Sequence, residues 1–175
     1  MVPVNVRDGG AGAELGNRIA FIFLELPCEE PAAERRLRRI SLATKRAKAN
    51  GVPAGATTVL DIAASAPSVL QRAMSRLVAS PRTFNVVVSN IPGPQVPVWM
   101  LGCRLREAYP IVPLADRHAL SIGFTTVAGG AFFGIYADRD SAADAELLAG
   151  DVGDALDELR ELAPAGSRRR LEPVP

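Results

Sequence analysis

Ser89 and Asn90 are the residues of this chain whose types and setting best suit them to chemistry. They sit in Asn85-Val86-Val87-Val88-Ser89-Asn90-Ile91-Pro92-Gly93-Pro94. A hydroxyl and a carboxamide delivered by a strand into a rigid, donor-poor loop are a common way to build a site. The same two side chains can also bond to the local backbone and tie down a turn. The three valines are β-branched and carry no helical period, so they predict a strand. The strand is expected to break at Ser89, because Pro92 and Pro94 remove donors and fix φ, and Gly93 permits a tight turn. Asn85, Ser89, Asn90, Pro92, Gly93 and Pro94 make up this candidate site, and a strand end with a tight turn is the plainer reading of the same pattern.

The rest of the chain offers little machinery to join them. His118 is the only histidine, in Ala115-Asp116-Arg117-His118 before a predicted strand, so any Ser-His-Asp arrangement would need it. A lone loop histidine of this kind is expected at the surface rather than in catalysis. No P-loop, H-E-x-x-H or dinucleotide-binding glycine motif is present. Asp138 and Asp140 follow a strand and are expected to cap the last helix. Cys28 and Cys103 form no C-x-x-C pair, so neither a zinc site nor a disulfide framework is expected, and no metal or resident cofactor is indicated.

The elements that must position Ser89 and Asn90 read as follows. Val2–Val6 and Arg18–Leu26 predict two strands, the second stopped by Pro27. Pro31–Asn50 predicts a helix with a narrow stripe of Ala33, Leu37, Ile40, Thr44 and Ala47. Thr57–Ala64 and Ser68–Ala79 predict two more helices, with Thr57 or Thr58 and Ser68 as caps. Arg104–Val112 alternates apolar and polar residues and predicts a strand. Ala119–Val127 and Ala131–Ala137, joined by Ala128-Gly129-Gly130, predict a hairpin. Ser141–Leu162 predicts a terminal helix capped by Ser141, and residues 164–175 a disordered tail. The order implies an α+β domain over residues 1–163: a two-layer sandwich with a mixed, largely antiparallel sheet covered by helices.

Charge and composition exclude several functions. The net charge is +1 and only 5% of residues are aromatic, which disfavours nucleic acid as a partner. The helix over Pro31–Asn50 concentrates seven cations against Glu34 alone. Arg35, Arg36, Arg38 and Arg39 are candidate contacts to a phosphate or an anionic membrane surface; a merely solvated helix face is the plainer alternative. Residues 138–160 carry eight acids and two arginines, so the two helices could complement each other. The uncharged stretches Thr83–Cys103 and Ala119–Ala137 are interrupted by prolines or glycines and do not read as membrane spans. The start lacks a secretory pattern, and an unpaired first strand hints at a piece of a larger sheet.

Several of these segments together resemble one family. Pro3-Val4-Asn5-Val6-Arg7, Gly16-Asn17-Arg18, the N-x-x-x-S-N-I-P-G-P block, Leu101-Gly102, Leu120-Ser121-Ile122 and Ala137-Asp138 are similar, in order, to the C-terminal half of bacterial wax ester synthase/acyl-CoA:diacylglycerol acyltransferases. The resemblance spans Val2 to Leu162. It implies one half of a chloramphenicol-acetyltransferase-like fold, with acyl-CoA and an alcohol or diacylglycerol meeting between two halves. The family's general base lies in His-His-x-x-x-Asp-Gly, in the N-terminal half; a chain with one histidine cannot contain that motif. The resemblance therefore implies a tunnel and substrate-binding wall, with Asn85, Ser89, Asn90, Pro92, Gly93 and Pro94 as substrate-binding residues and Ser89 or Asn90 as oxyanion or tunnel residues. Its partner would be the N-terminal half, and acyl-CoA its substrate rather than a cofactor. Its location would be cytoplasmic, peripheral on the inner membrane face or lipid droplets. A homodimer through the vacant face is a further expectation, and a stand-alone acyl-lipid-binding or protein-interaction domain is the alternative function.

Overall fold

The structure is a computed structural model that describes residues 1–5, 19–49, 67–68 and 80–163. The predicted helices at Thr57–Ala64 and Ser68–Ala79 lie outside the described residues, apart from Ser68, as does the tail.

The centre is a three-stranded sheet in the order β3–β6–β7, formed by Val87–Pro92, Leu120–Val127 and Gly130–Ala137. β6 and β7 make the predicted hairpin. Its two-residue loop places Ala128 at φ 46° and Gly129 at φ 88°, the left-handed pair that matches the twist of a tight hairpin. β3 lies parallel to β6, with Val87 opposite Ser121 and Pro92 opposite Thr126. β1 (Val2–Asn5) and β2 (Ile19–Ile22) pair antiparallel. They join the other edge of β3 through Met1: its amino group donates to the Val86 carbonyl, and its carbonyl accepts from the Val88 N–H. One residue bonding to both neighbours of the residue opposite is the parallel pattern. A second hairpin, β4 (Trp99–Met100) with β5 (Cys103–Arg104), stands apart. Helices α1 (Ala33–Ala49) and α2 (Ala145–Leu162) touch each other, and α2 also meets β7. The mixed α+β architecture is thus the expected one.

Four local expectations change. β3 does not break at Ser89 but pairs through Pro92. Proline is tolerated because β3 has a free edge beyond Val88 among the described residues, where no ladder donor is required. β2 ends at Ile22 rather than Leu26, and the ring of Phe23 turns toward Phe84 at 6.2 Å. Residues 105–112 are not a strand. They cross one face of the sheet as a strap, because the Pro110 carbonyl lies directly over Gly123 and Gly134 and a Cβ on either glycine would collide with it. Ser121 Oγ fastens the strap by donating to the Val112 carbonyl, and Tyr109 meets the edge of Phe132 at 5.5 Å. Finally, Ser141 does not cap α2. Its N–H and hydroxyl both turn back to the Asp138 carboxylate, the N–H at 3.0 Å, and the helix begins four residues later. These bonds hold the Asp138 carboxyl below its ordinary value, and its predicted capping role becomes this turn.

The strap leaves the two faces of the sheet unlike. The covered face carries Val87, Ser89, Ser121, Gly123, Thr125, Val127 and Phe132, all buried. The other carries Val88, Asn90, Ile122, Phe124, Phe133 and Ile135; Asn90 is exposed and the rest are half-buried.

Candidate functional site

The strand alternation separates the two central candidates. Ser89 is 8% exposed, on the covered face opposite Gly123, while Asn90 is exposed on the open face opposite Phe124. Phe124 in turn stacks at 4.9 Å, tilted, against Phe133. The two side chains leave β3 on opposite faces of the sheet. The Asn90 amide makes no hydrogen bond to another described residue. Asparagine is a poor strand former, so packing and propensity leave its presence there unexplained.

The turn after the strand is built around β6. A Cβ on Gly93 would press into the Thr126 carbonyl, so only glycine lets the backbone come this close. Gln95 Nε2 donates to the Gly93 carbonyl at 3.0 Å and to Thr126 Oγ1 at 2.8 Å. Thr125 Oγ1 donates to the Ile91 carbonyl at 2.6 Å, and the Ala128 N–H to the Pro94 carbonyl at 3.0 Å. Pro92, Gly93 and Pro94 therefore form a braced ledge beside Asn90. Asn85 is not part of it. It precedes the strand, five residues or roughly 16 Å of extended chain from Asn90, and reaches back to the Pro81 carbonyl at 3.4 Å. Gln95, Thr125 and Thr126 went unnoticed in the sequence, because nothing local reveals which strand is parallel to β3.

His118 is not a surface residue. It is 6% exposed and lies flat on Phe84, ring centroids 4.1 Å apart. Nε2 is 2.9 Å from the Phe84 carbonyl and Nδ1 is 2.9 Å from that of Asp116. A neutral imidazole has one N–H and donates to one of these at a time. Either way both nitrogens face backbone oxygens, which makes the ring a clamp between the lead-in to β3 and the lead-in to β6.

The four candidate arginines of α1 each meet a carboxylate. Arg35 pairs with Glu30 at 2.9 Å, Arg36 with Glu158 of α2 at 2.9 Å, Arg38 with Glu34 at 2.7 Å, and Arg39 with Glu29 at 3.0 Å. The Arg36 pair realises the expected complementarity of the two helices. Arg39 also borders a cavity of about 420 Å³ between α1 and residues 23–29, which shares no lining residue with the Asn85–Pro94 block. Among the described residues no helix is long and apolar enough to cross a membrane.

Comparison with known proteins gives this geometry a family. The profile of the WS/DGAT C-terminal domain (wax ester synthase/diacylglycerol acyltransferase) matches residues 15–160. A putative diacylglycerol O-acyltransferase of Mycobacterium bovis is 33% identical over 173 residues, aligning 98% of this chain with 37% of its own length. A probable diacylglycerol O-acyltransferase of Mycobacterium tuberculosis aligns with the same identity and coverage, 33% over 173 residues. The solved wax ester synthase/diacylglycerol acyltransferase of Marinobacter aquaeolei VT8 superposes with a TM-score of 0.61 at 26% identity, covering 83% of this chain and 34% of that one. The chain spans a little over a third of the length of the curated relatives named here. It belongs to the family of WS/DGAT C-terminal domains.

Proposed function

We propose that this chain forms the C-terminal half of an acyl-CoA-dependent O-acyltransferase that makes wax esters or triacylglycerols, and that Asn90 lines its acyl-transfer tunnel. The observation that carries the assignment to Asn90 is its exposed amide, unengaged among the described residues, on the open aromatic face beside the braced Pro92–Pro94 ledge. Ser89, buried under the strap, is a packing residue in this reading.

The general base comes from the N-terminal half, in the His-His-x-x-x-Asp-Gly motif, because the one histidine of this chain is occupied as a clamp. That base takes the proton of the acceptor hydroxyl. The hydroxyl oxygen bonds to the thioester carbon, the carbonyl becomes an oxyanion, and the Asn90 Nδ2–H donates to it. Collapse breaks the C–S bond, and the proton leaves with the thiolate as free CoA. Acyl-CoA is a substrate, and the chemistry needs no resident cofactor. Location at the cytoplasmic face of the membrane or on lipid droplets suits such substrates; with Arg35, Arg36, Arg38 and Arg39 paired, Lys45, Arg46 and Lys48 are the cations of α1 without an ion-pair partner among the described residues.

The test uses the complete enzyme, with both halves present. Asn90→Ala should lower kcat by roughly 10²–10³-fold, the cost of one oxyanion donor, with thermal stability unchanged. Ser89→Ala should leave kcat within about twofold. Full turnover in a folded Asn90→Ala enzyme would sink the tunnel role. Turnover by this chain alone would sink the two-half reading. The alternative, a stand-alone acyl-lipid-binding domain, is favoured only by the absence of a free histidine. It predicts fatty-acid binding without turnover even when the N-terminal half is supplied.

A further inference from the structure

The hairpin β4–β5 is built against its own stability. Its turn places Leu101 at φ 50° and Gly102 at φ 80°. The first of these positions normally takes Asn, Asp or Gly, and a leucine there is strained. The same leucine is 98% exposed, and its neighbours Met100 and Trp99 are 75% and 64% exposed. Val96, at the base, is 66% exposed. The strands are two residues each, and among the described residues they pair with nothing else. A two-stranded ribbon alone is marginal in water. Ala128 takes the same strained position in the β6–β7 turn, but only at Leu101 does it coincide with apolar exposure, shared by Trp99 and Met100, on a ribbon that pairs with no other described strand.

We propose that the Trp99-Met100-Leu101 tip is a docking arm that inserts into an apolar socket on the N-terminal part of the full-length enzyme. The proposal rests on the two-half reading above and names the surface through which this half engages the other. The occupant follows from length. In the Mycobacterium relatives the aligned region is 37% of the chain, so nearly two-thirds of each polypeptide lies outside it. That remainder is covalently tethered in those relatives, so it meets any exposed apolar surface of this domain at high effective concentration, ahead of lipid or a second copy. An exposed Trp flanked by Met and Leu is also the kind of anchor that dominates an interface.

Trp99 is the only tryptophan of the chain, so it reports its own docking. The full chain is co-expressed with the N-terminal two-thirds of the Mycobacterium tuberculosis relative, and the complex is compared with the chain alone, a Trp99→Phe chain serving as the spectral blank. The expected result is co-purification, with Trp99 emission shifted to the blue and shielded from acrylamide. Leu101→Asn supplies the residue the turn prefers. It should leave the chain's own melting temperature equal or higher and weaken the complex on the order of thirtyfold. A complex in which Trp99 stays quenchable and Leu101→Asn is neutral overturns the docking arm and leaves the two-half enzyme standing. Absence of any complex, with no activity from the mixture, overturns both. A blue shift with phosphatidylcholine/phosphatidylglycerol vesicles alone, or with rising concentration of this chain alone, assigns the tip to lipid or to self-association and overturns the proposal.

Discussion

Replacing His118 by alanine tests the separation of structure from chemistry in this chain. The ring is 6% exposed, stacked on Phe84 at 4.1 Å, and 2.9 Å from the Phe84 carbonyl. His118→Ala leaves one of the two backbone carbonyls it faces, that of Phe84 or that of Asp116, without its donor, at a cost of about 1–3 kcal/mol. It also removes an aromatic pair worth roughly 0.5–1.5 kcal/mol and leaves a hole the size of the ring. A total near 3 kcal/mol is a large share of a stability of about 5–15 kcal/mol. For a domain of this size it corresponds to a drop of roughly 6–12 °C in Tm. Urea denaturation of the chain should show a lower midpoint with an unchanged slope. His118→Gln keeps an amide donor near these carbonyls and should recover about 1 kcal/mol. In the complete enzyme, below the melting range, both variants should keep kcat within about twofold. A wild-type denaturation midpoint for His118→Ala would refute the clamp. A collapse of kcat in a stable His118→Ala enzyme would refute the assignment of the base to the other half.

Two further outcomes follow from the strap and from the turn before α2. Gly134→Ala drives a Cβ into the backbone carbonyl of Pro110, where no side chain can move aside. It should destabilise the chain by about 1–3 kcal/mol, read by thermal melting. Asp138 has a folded pKa below its ordinary 3.8, chiefly through the Ser141 side-chain hydrogen bond and then the Ser141 N–H. Its contribution to stability is therefore fully present above pH 3.8 and fades as pH falls through the lower folded value. Ser141→Ala should raise that pKa toward 3.8, as followed by carboxyl NMR titration.

Elements defined by local chemistry were legible in the sequence. The Ala128-Gly129 hairpin, the α1 span and the short first strand appear within a few residues of their expected bounds. What failed depended on distant partners. Leu105, Tyr109 and Ile111 alternate as a strand would, yet the glycines that turn this segment into a strap are Gly123 and Gly134, on two other strands. Ser89 to Pro92 reads locally as a broken strand, but β6 supplies a parallel ladder that carries it on to Pro92. Ser141 is a plausible helix cap until Asp138, three residues earlier, captures it. For the site, the S-N-I-P-G-P block was legible as a motif, but the orientation of its side chains was not. Which of Ser89 and Asn90 faces outward follows only from the pairing register, which no local pattern encodes.

The distribution of apolar surface ties these features together. Among the described residues, seven apolar side chains are buried while sixteen large ones are exposed. α2 buries none of its residues, although Leu147, Leu156 and Leu162 lie along it. The covered face of the sheet carries Ser89, Ser121, Gly123 and Thr125 beside the buried Phe132, while the Phe124–Phe133 pair on the other face is half-buried. Full burial of a large apolar side chain contributes about 1.5–3 kcal/mol. The half-buried aromatic pair, the exposed Asn90 amide and the exposed Leu101 tip leave part of that stability unrealised in this chain. The arrangement suits a wall whose remaining stability is supplied by what binds it, since a partner that binds only the folded form stabilises it by mass action. On this argument, the melting temperature of the chain should rise with the concentration of its N-terminal partner, and the residues that carry the rise should be those of the open face and the hairpin tip rather than those under the strap.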